Sequence, residues 1–157
     1  MMDIVIDTNV LVAGLLSPFG ACGDIVRMVS AGELTLSFDA RILSEYNEVL
    51  RRPRFGFEEE KVVAFLDYIV YRGRAVAPSP LSRSLPDPDD EPFLEVTLAS
   101  QVVCLITGNQ KHFPAERCQG AKVISPDKFL IFFKNQQAEK KRITQRSTRT
   151  RKKPRAR

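Results

Sequence analysis

Ile4-Val5-Ile6-Asp7-Thr8-Asn9-Val10-Leu11 passes from three aliphatic residues to three polar ones and back to aliphatics. The run Asp3 to Ile6 predicts a short buried strand. Asp7-Thr8-Asn9 predicts the turn that ends it, and Val10 to Leu16 predicts the helix that follows, closed by Ser17-Pro18-Phe19-Gly20. The same alternation continues along the chain. Cys22 to Ala31 has helical spacing, Leu34 to Phe38 reads as a strand, Ala40 to Arg52 as a helix stopped by Pro53, and Glu58 to Tyr71 as another helix. Arg74 to Ala77 is a brief strand, and Pro78 to Pro88 a loop rich in Pro and Ser. Asp89 to Ser100 is a helix, Val102 to Thr107 a strand and Lys122 to Ile124 a last strand. Ser125-Pro126 opens a helix expected to end near Phe133. Short strands alternating with helices predict an α/β fold, a parallel central sheet flanked by helices in a single domain.

The 157 residues and 43% hydrophobic content supply one core and fall short of two. Three cysteines at wide spacing argue against a disulfide scaffold and a zinc ribbon, and the single histidine, His112, excludes multi-histidine metal sites. A Ser-His-Asp triad could rest on His112 alone. No apolar run approaches the roughly 18 residues of a membrane helix. Met1 to Leu16 lacks the basic start and cleavage site of a signal peptide, so no membrane partner and a cytoplasmic location are expected. The net charge of +5 hides two opposite parts: Lys134 to Arg157 carries eleven Lys and Arg against Glu139 alone, while the rest of the chain is net acidic. We therefore expect a domain over residues 1–133 and a basic, disordered tail over 134–157. Lys140, Lys141, Arg142, Arg146, Arg149, Arg151, Lys152 and Lys153 are its candidate nucleic-acid contacts.

In open parallel sheets ligands bind beyond the carboxyl ends of the strands. Asp7 follows the first strand, Thr107-Gly108-Asn109 follows the Val102 strand, and Asp87, Asp89, Asp90 and Glu91 stand before the helix that leads into it. The acids at that helix start have a plain structural reading, since carboxylates favour helix N-termini by capping and by the macrodipole. Asp7 resists such a reading, because a carboxylate closing an apolar run needs a partner or a metal. On the Ala40 helix, Ile42, Leu43, Tyr46, Val49 and Leu50 share a face. Glu45 lies at its border and Glu48 points to solvent, at about 100° per residue. Glu45 can be a plain surface charge or can reach over the sheet edge toward Asp7; periodicity leaves both open. Oxygen donors without histidine or thiolate suit Mg²⁺ or Mn²⁺, which would neutralise carboxylate repulsion and charge on a phosphate.

Four segments in order carry a resemblance. The opening Ile4 to Leu11, the segment Ser44-Glu45 with Val49-Leu50-Arg51-Arg52-Pro53, the acidic run Asp87-Pro88-Asp89-Asp90-Glu91-Pro92-Phe93-Leu94-Glu95, and Leu105-Ile106-Thr107-Gly108-Asn109 with His112-Phe113-Pro114 together resemble PIN-domain ribonucleases, over about residues 2 to 130. The likeness is greatest to toxins of bacterial toxin–antitoxin pairs, similar to VapC toxins. The resemblance implies that Asp7, Glu45 and Asp90 are catalytic, metal-binding carboxylates, Asp90 being favoured over Asp89 because it stands three residues before Phe93. It implies that Thr8 and Thr107 hydrogen-bond around the site, that Asn9 braces the turn, and that Asn109 occupies a metal-shell position often held by Asp in the family. An amide ligates Mg²⁺ through its carbonyl and brings no charge; Asp87 is the candidate substitute. The implied function is a Mg²⁺- or Mn²⁺-dependent endoribonuclease leaving 5′-phosphate and 3′-hydroxyl ends, with RNA as substrate, a cognate antitoxin as partner and room for a homodimer. The alternative is a non-catalytic PIN-like RNA-binding or regulatory module. A phosphotransfer domain is disfavoured, since Asp7-Thr8-Asn9 has no second acid two residues on and Lys122 begins its strand rather than following it.

Overall fold

The structure, a computed structural model, describes residues 2–152. Five strands form one sheet in the order β3-β2-β1-β4-β5, and every pairing is parallel. The strands are β1 (Met2–Ile6), β2 (Leu34–Phe38), β3 (Arg74–Ala75), β4 (Leu105–Ile106) and β5 (Val123–Ile124). Helices α1 (Thr8–Leu16), α2 (Ala21–Ser30), α3 (Ala40–Leu50), α4 (Glu59–Arg72) and α5 (Glu91–Ala99) fill the connections, and α6 (Pro126–Arg151) follows β5. This is the expected α/β architecture. A parallel sheet is covered on both faces, so its central strand must be apolar on both sides. β1 meets that demand: Ile4, Val5 and Ile6 are fully buried, between β2 and β4.

The sheet order matters for function because it brings β1 and β4 together. Val5 pairs with Leu105 and Ile6 with Ile106, so Asp7 and Thr107 leave the sheet side by side. Tyr46 of α3 is buried, and its hydroxyl donates to the carbonyl oxygen of Ile6. That bond fixes α3 over the end of β1. Gly14 lets α2 cross close to α1: a Cβ there would lie 2.5 Å from the Cys22 carbonyl oxygen and from Val26 Cγ2. No single helix among the described residues is long and apolar enough to cross a membrane.

Several boundaries differ from the sequence reading, and three of them have a physical reason in the structure. The strand expected over Val102 to Thr107 is regular only at Leu105–Ile106, although Val103 N–H still donates to the Asp3 carbonyl and Val5 N–H to that of Cys104. The helix expected from Asp89 begins as a 3₁₀ turn, Pro88–Asp90, and becomes α-helical at Glu91. Pro88 and Pro92 both lack an N–H and both fit only the first turn of a helix, so the chain makes two starts. The largest difference is at the C-terminus. α6 does not stop near Phe133 but runs on through the segment expected to be disordered. Residues 134–151 contain no Gly or Pro and are rich in Gln, Lys and Arg, all good helix formers. The buried Phe129 anchors the first turns, against α2. Lys153 and the rest of 153–157 lie outside the described residues.

Candidate functional site

Asp7, Glu45 and Asp90 face one cleft of about 420 Å³ at the carboxyl edge of the sheet, together with Thr8, Asn9, Arg52, Arg54, Phe55 and His112. Three separate elements deliver the carboxylates. Asp7 ends β1, Glu45 stands on α3 and Asp90 closes the 3₁₀ turn before α5. Of the two readings open for Glu45, the structure selects the one in which it turns inward. Tyr46, next to it, is pinned to β1, and Glu45 itself is half-buried.

Each of two carboxylates is held by a threonine. Thr107 Oγ1 donates to Asp7 Oδ2 at 2.7 Å and accepts from Asn109 N–H at 3.1 Å. Thr8 Oγ1 donates to Glu45 Oε2. Asn9 accepts from Gly108 N–H through Oδ1 at 3.4 Å, which ties the turn after β1 to the turn after β4. The third carboxylate is held differently. His112 Nδ1 stands 2.9 Å from Asp90 Oδ2, yet that buried oxygen accepts no hydrogen bond. The other face of the imidazole meets Asn109, with Nδ2 and Nε2 2.8 Å apart. Asn109 thus engages His112 and does not line the cleft. Asp87 accepts from Asp89 N–H at 2.9 Å and caps the 3₁₀ turn.

Burial and mutual repulsion strain the ionised site. Burial raises the Asp7 carboxyl above its ordinary value, against the Thr107 hydrogen bond. Burial also raises Glu45, with Asp7, Asp89 and Glu48 adding repulsion against the Thr8 bond. Asp90 is pushed up to about 6, first by burial and then by Asp7, with His112 opposing. Three acids that resist ionisation together at one cleft, one with an orphaned buried oxygen, make a donor set suited to a hard cation. Among the described residues no three His, Cys, Asp or Glu side chains are drawn together closely enough to enclose an ion.

Sequence reasoning assigned no role to His112, Arg52, Arg54 or Phe55, all of which line the cleft. The signal was present in Arg51-Arg52-Pro53-Arg54-Phe55, a basic and aromatic run directly after the helix that carries Glu45. Conversely, none of the basic residues of α6 lines the cleft.

Solved structures of similar fold include VapBC2 from Rickettsia felis, bound to a DNA fragment from its promoter. The TM-score is 0.52 and the identity 13%, over 79% of this chain and 98% of that one. PAE2754 from Pyrobaculum aerophilum matches with TM-score 0.51 and 16% identity, over 83% of this chain and 88% of that one. No curated protein matches in sequence. A family model of the PIN domain matches residues 3–111, a span that begins in β1 and closes just past Asn109. The sheet order, the acids at its carboxyl edge and this match lead to one assignment: the chain belongs to the PIN domain family.

Proposed function

We propose that the chain is a metal-dependent endoribonuclease and the toxin of a toxin–antitoxin pair. The observation that carries this reading is the meeting of Asp7, Glu45 and Asp90, from three separate elements, in one solvent-open cleft. PIN domains are generally nucleases that use divalent metals, and the donor set here has the hard, oxygen-only character that Mg²⁺ or Mn²⁺ prefers. Asp7, Glu45 and Asp90 would hold the ion. When bound, it would supply a Lewis acid that neutralises charge on the scissile phosphodiester and makes water a stronger nucleophile. Thr107 and Thr8 set the direction of the Asp7 and Glu45 carboxylates, and the three acids would have to draw closer to enclose an ion. His112 stands beside Asp90, with Nδ1 2.9 Å from Oδ2. Hydrolysis would place water on phosphorus and release the 3′-oxygen as a hydroxyl, leaving a 5′-phosphate on the other fragment. The decisive assay is cleavage of single-stranded RNA in Mg²⁺, in Mn²⁺ and in EDTA; RNA left intact in all three overturns the nuclease reading.

A protein partner is supported by exposed apolar residues: Leu16, which lines the cleft, is 51% exposed, and Phe19, in the turn that follows α1, is 90% exposed. The known complex of this fold in VapBC2 makes an antitoxin the natural candidate.

One observation favours the alternative of a non-catalytic RNA-binding module: an uncharged Asn109 stands where the family often has an acid. Asn109→Asp restores that charge, and we expect tighter divalent binding with equal or higher cleavage. Calorimetry on the metal-free protein checks this; unchanged affinity places residue 109 outside the metal shell.

We further propose that the basic part of α6 grips RNA phosphates. Lys134, Lys141, Arg142, Arg146 and Arg149 fall within about 140° of arc at 100° per residue, which makes one basic face on the helix. Truncation after Phe133 should weaken binding to all RNA sequences about equally. If roughly four cations engage, the log–log salt slope should flatten by about 3, at about 0.7 per phosphate contact for single strands. Filter binding across a salt series measures it, and identical slopes rule the grip out.

A further inference from the structure

Three nitrogen-bearing side chains, His112, Arg52 and Arg54, line the cleft. Two of them already have a carboxylate. His112 faces Asp90 at 2.9 Å, and Arg52 Nη2 pairs with Glu48 at 3.0 Å. Arg54 has no carboxylate partner among the described residues. Its guanidinium lies over the Phe55 ring, 4.7 Å from the centroid. Phe55 is half-buried and in turn stacks with Phe57, with ring centroids 5.9 Å apart and planes 26° apart. Arg54 and Phe55 belong to a 3₁₀ turn that starts at Pro53 and is closed by Gly56 in the left-handed region, φ 65°. The turn is therefore short, and both of its ends have restricted or specialised backbone.

This arrangement solves a problem the rest of the cleft poses. Three carboxylates repel a polyanion, and a dication would serve the scissile phosphate, not its neighbours. A flexible arginine would lose rotamer freedom on gripping a phosphate; a guanidinium already stacked on a ring loses less. We propose that Arg54, held by Phe55, is the phosphate-binding subsite that seats the nucleotide next to the scissile bond. The guanidinium takes the non-bridging oxygens of that phosphate, two N–H groups to two oxygens, and its planar outer face is free to stack on a base. Phe55 is a positioning residue: it touches Arg54 and not the RNA. The inference rests on the nuclease reading for the meaning of the site but not for its test.

The test uses the full chain, a short fluorescein-labelled single-stranded RNA, and binding measured in EDTA across a salt series. Arg54→Gln should weaken binding about tenfold, the low end of a lost charge-assisted contact. It should also flatten the log–log salt slope by about 0.7. Arg54→Lys should restore the slope without restoring the full affinity, because an ammonium cannot make the forked contact. Phe55→Leu should weaken binding while leaving the slope at its wild-type value, and the double variant Arg54→Gln/Phe55→Leu should bind no worse than Arg54→Gln alone. Thermal melting confirms that each variant is folded. A wild-type slope in Arg54→Gln overturns the subsite, and additive losses in the double variant overturn the positioning role of Phe55. Failure of the nuclease reading has a different signature: wild-type protein that binds RNA but cleaves none in Mg²⁺ or Mn²⁺ refutes that reading while the slopes still decide the subsite. Wild-type protein that binds no RNA overturns both.

Discussion

Replacing Asp7, Glu45 or Asp90 with Ala is expected to reduce RNA cleavage by roughly a thousandfold or more, the scale of losing an essential electrostatic group at a reacting centre. The chain should remain folded in each case. The three variants should not melt alike. Asp90 accepts no hydrogen bond through its buried Oδ2, and the attraction of His112 at 2.9 Å is outweighed by burial and by Asp7, so removing it relieves more than it loses. Asp90→Ala should be the most stable of the three, above wild type. Asp7→Ala gains the same relief but leaves the Thr107 hydroxyl without its acceptor, a loss of about 1 kcal/mol. Glu45→Ala likewise strands the Thr8 hydroxyl. Cleavage assays with Mg²⁺, Mn²⁺ and EDTA, beside thermal melting of metal-free protein, check both halves. Activity that persists in EDTA would sink the metal mechanism, and a melting order led by Asp7→Ala would contradict the account of strain.

The second large effect is on pH dependence. Asp90 has a folded pKa of about 6 against an ordinary value of 3.8. The folded state therefore binds this proton more tightly than the unfolded chain does. Below pH 4 both states hold it and the carboxyl costs nothing. Between pH 4 and 6 the unfolded state loses its proton first, so stability falls as pH rises, and above 6 the penalty is complete. Two pKa units correspond to at most about 3 kcal/mol. The burial-raised Asp7 and Glu45 push in the same direction. In EDTA, wild-type protein should thus be less stable at pH 7.5 than at pH 5, relative to Asp90→Asn. Denaturant melts of the two proteins at both pH values isolate the term. An Asp90→Asn advantage that does not grow with pH refutes it.

The parts of this molecule that could be read from sequence share a property: each is fixed by residues close together in the chain. The apolar run ending at Asp7, the polar residues after Ile106, and the acids between Pro88 and Pro92 all announce where an element starts or stops. Parallel-sheet logic places strand ends at one edge, so Asp7 and Thr107 can converge if their strands are neighbours; the sheet order supplies that adjacency across 100 positions. Glu45 could be located only to a border, because helical periodicity gives an angle and not a neighbour; the Tyr46 bond to Ile6 settles the direction. His112 against Asp90 and Arg54 over Phe55 were not legible. Both depend on how irregular turns fold back toward the cleft, and turns of this kind carry no period. The length of α6 escapes the sequence for another reason. A polar, charged composition argues against a packed core, but it does not argue against a helix.

The pairing of Asp7 with Thr107 also orders events in time. The chain is made from its N-terminus, so Asp7 and Glu45 emerge early and Thr107 much later. At about 10 residues per second the first carboxylate waits on the order of 10 s for its hydrogen-bond donor. β1 meanwhile lacks β4 on one edge, and Asp90 has no His112 beside it. Between the synthesis of Asp90 and that of His112, a nascent chain therefore carries every acidic group of the site, but not the site.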